Sequence, residues 1–186
     1  MLRGLALAAL LTGCAPIPHS WRLPPLISRA SRPRPPRPTP TRQLRPSPHA
    51  EPAAALVERV LHERGYRFGT DGTVGALHDY LADNGHPVQP NQARPGDVVF
   101  FDLGGEGADH VGLVESVDPD GRIAFREERD GEIRTSYVLP SAPSERRDAQ
   151  GRVLNSFLRP KRPEDPPYLR YFAGELFYAV LRLERR

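Results

Sequence analysis

The chain has very little cysteine: its 186 residues include one, Cys14. One thiol cannot form an intrachain disulfide or a cysteine-based zinc site. Long hydrophobic runs are missing as well, because the apolar stretch from Gly4 to Leu11 falls far short of the roughly 20 residues that span a bilayer. Acidic residues are absent from residues 15–50, which hold seven arginines and half of the 22 prolines. The single cysteine excludes a disulfide framework. The missing acidic residues predict that residues 15–50 differ in structure from the rest of the chain.

Cys14 ends the stretch Leu11-Thr12-Gly13-Cys14, behind a positive Arg3 and a short apolar run. A short apolar run after a positive charge is typical of a cleaved signal peptide. The stretch resembles the lipobox of bacterial lipoproteins, whose cysteine becomes the lipid-bearing first residue. That resemblance implies a signal peptide over residues 1–13, a membrane anchor at Cys14, and a location in the bacterial cell envelope, periplasmic or at an outer-membrane leaflet. The alternative is an ordinary signal peptide in which the cysteine stands by chance.

Residues 14–50 are predicted to be a disordered Pro/Arg-rich tether, because they lack apolar periodicity and many backbone donors. In the polyproline conformation, at about 3.1 Å per residue, they could reach on the order of 100 Å. Either they are a passive spacer or their arginines contact anionic lipid headgroups or acidic wall polymer. Removing those seven charges and Arg3 from the net +3 leaves −5 for residues 51–186. That acidic remainder lacks a basic-aromatic pattern, so no nucleic acid partner is expected.

Residues 51–186 are long enough for one domain with its own core. A helical period predicts helices over Pro52–Arg64 and about Val74–Asp83, the second capped by Thr73 or Asp71. Apolar runs then predict five strands, at Val98–Phe101, Val111–Val117, Ile123–Glu127, Ile133–Val138 and Leu176–Leu183. Two helices followed by a run of strands indicate an α+β fold with an antiparallel sheet.

Two sequence segments and the loop between them form the most specific motif in the chain. They are Arg94-Pro95-Gly96-Asp97-Val98-Val99-Phe100-Phe101, the glycine-rich residues 104–107, and Asp109-His110-Val111-Gly112-Leu113-Val114. They resemble the NlpC-type and CHAP cell-wall hydrolases of the papain-like superfamily, in which a Pro-Gly-Asp turn opens a strand and a His-Val-Gly strand start carries the catalytic histidine. The resemblance covers about residues 52–128. It implies a papain-like fold and a catalytic position for His110, which in isolation would be read as a solvated loop histidine.

The segment before the second helix, Gly65-Tyr66-Arg67-Phe68-Gly69-Thr70, is similar to the approach to the catalytic helix in those families. By that resemblance Tyr66, Phe68 and Asp109 are candidates for the wall of the substrate groove. No cofactor is implied.

The family places a cysteine at the helix start, in Asp-Cys-Ser-Gly, where the helix dipole and a neighbouring imidazolium favour the thiolate. Aligning the glycine of that pattern with Gly75 puts Thr73 at the nucleophile, whereas aligning its aspartate with Asp71 puts Gly72 there. Neither residue has a thiol. Known threonine nucleophiles use their own N-terminal amine, which Thr73 lacks. Thr73 is therefore predicted to be a helix cap rather than a nucleophile.

A third polar residue normally orients the catalytic histidine from an adjacent strand. The candidates are Glu127 and Glu128; the simpler interpretation is a solvated, charged strand end shared with Arg126 and Arg129.

Metal and phosphate sites find little support. His78 and His86, with Asp79 and Asp83 nearby, lack a two-histidine-plus-carboxylate spacing with His110, so no metal is predicted. The glycines of residues 104–107 are not followed by the Lys-Ser/Thr of a phosphate-binding loop.

Three functions fit these observations. The missing thiol favours a degenerate hydrolase domain on an envelope lipoprotein that binds peptidoglycan peptides or a partner cell-wall protein. The second is an amidase or endopeptidase that uses Thr73, His110 and Glu127. The third is a structural lipoprotein that acts through its Arg/Pro-rich tail.

Overall fold

The computed structural model describes residues 51–104 and 106–184. This part contains α1 (Pro52–Glu63), α2 (Val74–Asn84), β1 (Gly85–Pro87), β2 (Val98–Phe101), β3 (His110–Val117), β4 (Ile123–Arg129), β5 (Glu132–Val138) and β6 (Phe177–Leu183). Both predicted helices and all five predicted strands are present, with ends within two residues of those expected. The sequence did not predict β1 because three residues are too short to show a period. The predicted signal peptide, Cys14 and the tether lie outside the described residues and stay predictions.

The six strands form one antiparallel sheet in the order β1-β6-β2-β3-β4-β5. The last strand, β6, inserts between the edge strand β1 and β2, so it occupies an interior position of the sheet. This arrangement confirms an α+β fold with an antiparallel sheet; its papain-like character stays a prediction. No helix in residues 51–104 or 106–184 is long and apolar enough to cross a bilayer.

The two helices cover one face of the sheet, because their apolar stripes pack against every second residue of the strands. Leu61 of α1 and Leu77 of α2 share a core with Phe100 and Val111. Glu51 ties the helix starts together: its N–H donates to the carbonyl of Gly72 at 2.8 Å, and its carboxylate accepts from the N–H of Val74 at 3.0 Å. The beginning of α2 is thus held in place from α1.

The opposite face is covered by residues 139–176, a stretch for which the sequence predicted no structure before Leu176. Leu158 and Leu176 from this stretch pack with Phe101 and Phe125 of the sheet. The fully buried Asn155 holds the stretch together, since its Oδ1 accepts from the N–H of Leu139 and its Nδ2 donates to the carbonyls of Ala142 and Glu145. Both faces of the sheet are therefore buried, by different parts of the chain.

Candidate functional site

Strand alternation places His110 and Glu127 on the face of the sheet away from the helices. His110 lies opposite Phe101, with ring centroids 6.1 Å apart, and Glu127 follows Phe125 by two residues. Gly112 shares this face, and a Cβ there would lie 2.4 Å from the Phe125 ring. Glycine at this position lets the two strands and the Phe125 ring pack together without displacement.

His110 and Glu127 form a buried pair. The Nε2 of His110 lies 2.5 Å from Oε2 of Glu127, and the hydroxyl of Ser136 on β5 donates to Oε1 at 2.6 Å. Arg129 adds a charge contact, with Nη2 at 3.3 Å from Oε1. Glu127 is fully buried, whereas His110 retains 7 % of its exposure. Both carboxylate oxygens thus have partners inside the protein.

Burial alone raises the pKa of Glu127, but the hydrogen bonds from His110 and Ser136, with the charges of His110 and Arg129, outweigh it and hold the pKa below its ordinary 4.5. The carboxylate is therefore ionised at neutral pH. Since a carboxylate only accepts hydrogen bonds, the Nε2 that it contacts carries a hydrogen. This contact fixes the ring orientation and leaves Nδ1 as the nitrogen that can serve another group.

The simpler interpretation of this strand end, a solvated charge cluster, is wrong for Glu127. The alternation of β4 turns Glu127 inward, while Glu128 is half-buried on the other face. Arg126 is exposed and pairs with Glu115 at 2.6 Å. The position that orients the histidine is therefore occupied by Glu127, although its catalytic role stays a prediction.

The start of α2 is built as a helix cap. The hydroxyl of Thr73 accepts from the N–H of Ala76 at 3.2 Å and donates to Oδ1 of Asp71 at 2.7 Å. The same Asp71 oxygen accepts from the N–H of Thr73 at 2.9 Å. Gly72 has φ of 85°, a left-handed conformation that strains residues with a side chain. Thr73 and Gly72, the two residues that can be aligned with the family's cysteine, therefore both lie in a tight capping turn.

This cap is not hydrogen-bonded to the buried pair. Within the described residues, no hydrogen bond joins Thr73 to His110 or Glu127, and α2 packs on the Val111 face while His110 faces the other way. The structure thus joins two of the three predicted site residues directly and leaves Thr73 engaged with its own turn.

Of the predicted groove residues, Phe68 lies in the core and Tyr66 is half-buried against it. Phe68 is buried and stacks on Tyr80 with centroids 4.3 Å apart, and the hydroxyl of Tyr66 donates to the carbonyl of Leu183 at 2.8 Å. Their aromatic rings pack between helix and sheet, and their place in a substrate groove stays a prediction. Asp109 lies in the loop before β3, where Oδ1 accepts from the N–H of Leu103 at 2.6 Å.

Ser136 is a site residue that the sequence analysis did not identify. It occupies an inward position of β5, opposite Phe125, where an apolar residue would be expected. A polar residue at a buried position of a period-2 pattern was the available signal. Its hydroxyl can be explained only once β5 is known to pair with β4.

Candidate metal ligands are scattered over the part of the chain that the structure describes. No three His, Cys, Asp or Glu side chains there stand close enough to hold an ion. His78 packs instead between the rings of Phe100 and Tyr178, at centroid distances of 5.1 and 5.3 Å.

Comparison with known proteins gives one family. Residues 53–129 match the model of the CHAP domain, a span that runs from α1 through β4 and contains Thr73, His110 and Glu127. No curated protein matches the chain, and no solved structure does. The match supports a CHAP-type domain over these residues, and through it a cell-wall hydrolase-like domain. Ser136 and the stretch 139–176 lie beyond the matched span.

Proposed function

We propose that this chain is an envelope lipoprotein whose CHAP-like domain binds peptidoglycan peptides without cleaving them. The observation that carries this proposal is the helix start, where the hydroxyl of Thr73 is committed to Asp71 and Ala76. The sole thiol of the chain, Cys14, is the expected lipid anchor and so is not available as a nucleophile.

The chemistry of the remaining groups supports binding over cleavage. An oriented imidazole can act as a general base only if a nucleophile lies within hydrogen-bond reach. Thr73 is a poor substitute, because its hydroxyl is hindered and hydrogen-bonded to Asp71. The hydrogen bonds from Thr73, first from its side chain and then from its N–H, also lower the pKa of Asp71, which makes that carboxylate a weak base. His110 can still exchange a hydrogen bond with a peptide through Nδ1.

One observation favours the alternative, an amidase or endopeptidase with a non-cysteine nucleophile. The His110–Glu127 pair retains the orientation that a general base requires, at 2.5 Å. For the pair to activate the hydroxyl of Thr73, a ligand would have to draw Thr73 out of its cap and bring it to His110, which faces the other side of the sheet.

Hydrolysis and binding assays on the full chain distinguish the binding proposal from the hydrolase alternative. With purified peptidoglycan and soluble muropeptides we expect no new amino groups and no effect of iodoacetamide, because loss of a cysteine nucleophile forfeits several powers of ten in rate. We expect weak muropeptide binding that His110→Ala diminishes. His86→Ala is the matched control, since His86 is partly exposed beside Glu184.

Robust hydrolysis that is abolished by both Thr73→Ala and His110→Ala would replace the binding proposal with the unconventional enzyme. Wall binding that survives deletion of residues 51–186 but disappears on deletion of residues 15–50 would support the third function, in which the tail is the active part.

A further inference from the structure

A cavity of about 310 Å³ lies between the end of β2 and the stretch 159–178. Its lining includes Asp102, Arg159, Tyr168, Arg170, Glu175 and Tyr178. Only its β2 side falls within the span that matches the CHAP domain. The cavity therefore belongs largely to the part of this chain that the family resemblance does not explain.

Exposed aromatic side chains are concentrated at this cavity. Among the described residues, three large hydrophobic side chains are exposed, and two of them, Tyr168 at 82 % and Tyr178 at 46 %, line it. Aromatic rings that remain open to solvent beside a cavity are typical of ligand sites, because they supply large rigid contact surfaces. The two exposed tyrosines therefore distinguish this cavity, as a candidate ligand site, from the rest of the described surface.

The cavity also holds two arginines that donate few hydrogen bonds. Within the described residues, Arg159 donates no hydrogen bond, and Arg170 donates one long bond of 3.4 Å to the carbonyl of Glu175. The carboxylate of Glu175 is already engaged, since Oε2 accepts from the N–H groups of Tyr171 and Phe172 at 3.1 Å each. Both guanidinium groups therefore retain donors that an added ligand could use.

We infer that this cavity binds the free carboxylate of a peptide through Arg159 and Arg170, with the adjoining group of the peptide lying against the exposed ring of Tyr168. Guanidinium groups pair with carboxylates through two parallel hydrogen bonds, the geometry that distinguishes arginine from lysine. Asp102 adds negative charge to the lining, which suits a singly charged carboxylate better than a doubly charged phosphate.

This inference deepens the proposed function, because it assigns a second contact to the peptide that His110 would bind. The cavity lining continues into the loop that precedes His110: Leu103, one of its residues, donates to Asp109, directly before the histidine. Wall peptides carry free carboxylates, so one peptide could occupy both places.

Paired probes test the inference on the full chain. A muropeptide with a free terminal carboxylate and its carboxamide analogue are titrated by calorimetry. We expect the acid to bind at least about tenfold more tightly, the scale of one charge-assisted hydrogen bond. Arg159→Gln and Arg170→Gln should each reduce the affinity for the acid to that for the amide. Arg59→Gln, an exposed substitution on α1 outside the cavity, should leave both affinities unchanged.

Equal affinities for acid and amide would overturn the inference, and so would tighter binding of inorganic phosphate than of the acid. Melting of each variant, followed by circular dichroism, shows whether it is still folded. If Arg159→Gln unfolds the chain, Arg159→Lys replaces it in the titrations. Muropeptide binding that depends on His110 but not on Arg159 or Arg170 would support the proposed function and refute the role of this cavity. If a simple dialanine peptide binds in a way that depends on Arg159 and Arg170 while muropeptides do not bind, the cavity inference holds and the proposed function is refuted.

Discussion

Replacement of Glu127 removes the acceptor shared by three inward-facing groups. His110 and Ser136 would lose hydrogen bonds of 2.5 and 2.6 Å, and Arg129 would lose a charge contact at 3.3 Å. Because Glu127 is fully buried, water cannot readily take its place. Loss of one partner from a buried ion pair typically destabilises a protein by about 3–5 kcal/mol, and we expect Glu127→Ala to fall in that range.

Glu127→Gln is the milder change and keeps the volume of the side chain. Its amide group turns one acceptor into a donor, so one inward-facing donor loses its partner, which costs about 1–3 kcal/mol. Glu128→Gln is the matched control, because the neighbouring glutamate is half-buried and points to the other face. We expect it to change the free energy of unfolding by no more than about 0.5 kcal/mol.

Urea unfolding of the full chain, followed by circular dichroism at several pH values, measures these differences. The pKa of Glu127 lies below its ordinary 4.5, so its ionised form stabilises the fold above the pKa of the unfolded chain. That contribution is lost as the pH falls through the folded-state pKa. The gap between wild type and Glu127→Gln should therefore be present at neutral pH and shrink below about pH 4.5. Equal effects of Glu127→Gln and Glu128→Gln would refute the reasoning.

Three further predictions concern the anchor, the domain and the sheet. Cys14→Ser should release the protein from bacterial membrane pellets, since stable anchoring requires several acyl chains; unchanged pelleting would contradict lipidation. Residues 51–186 alone should unfold cooperatively, while residues 15–50 should be cleaved early in limited proteolysis; a non-cooperative melt of the shortened chain would mean that the tail packs on the domain. Gly112→Ala should lower stability by about 1–3 kcal/mol, because its Cβ would meet the Phe125 ring at 2.4 Å. Gly75→Ala, with open space around its Cβ, should be neutral or slightly stabilising in the same melts.

The sequence alone determined the local elements of the domain. The helices of residues 52–63 and 74–84 were predictable because their apolar residues recur with a period near 3.6. The strands were predictable from short β-branched runs between turn residues. The flanks of His110 were also sufficient to single it out among six histidines.

Only the tertiary structure decided which of these residues meet. Glu127 and Glu128 are equally charged and adjacent in sequence, and the register of β4 against its neighbours turns the first of them toward His110. Ser136 joins them because β5 pairs with β4. Such contacts depend on strand pairing across many residues, which a local pattern does not encode.

The same reason explains the cavity with Arg159, Arg170 and its two tyrosines. Its lining comes from the end of β2, from the stretch 159–170, and from the beginning of β6. Composition shows that these residues are present, but their meeting depends on β6 inserting beside β2 and on Leu158 and Leu176 packing against the second face of the sheet. Local periodicity sets which face of an element is apolar, whereas long-range packing of those faces decides which polar side chains share a site.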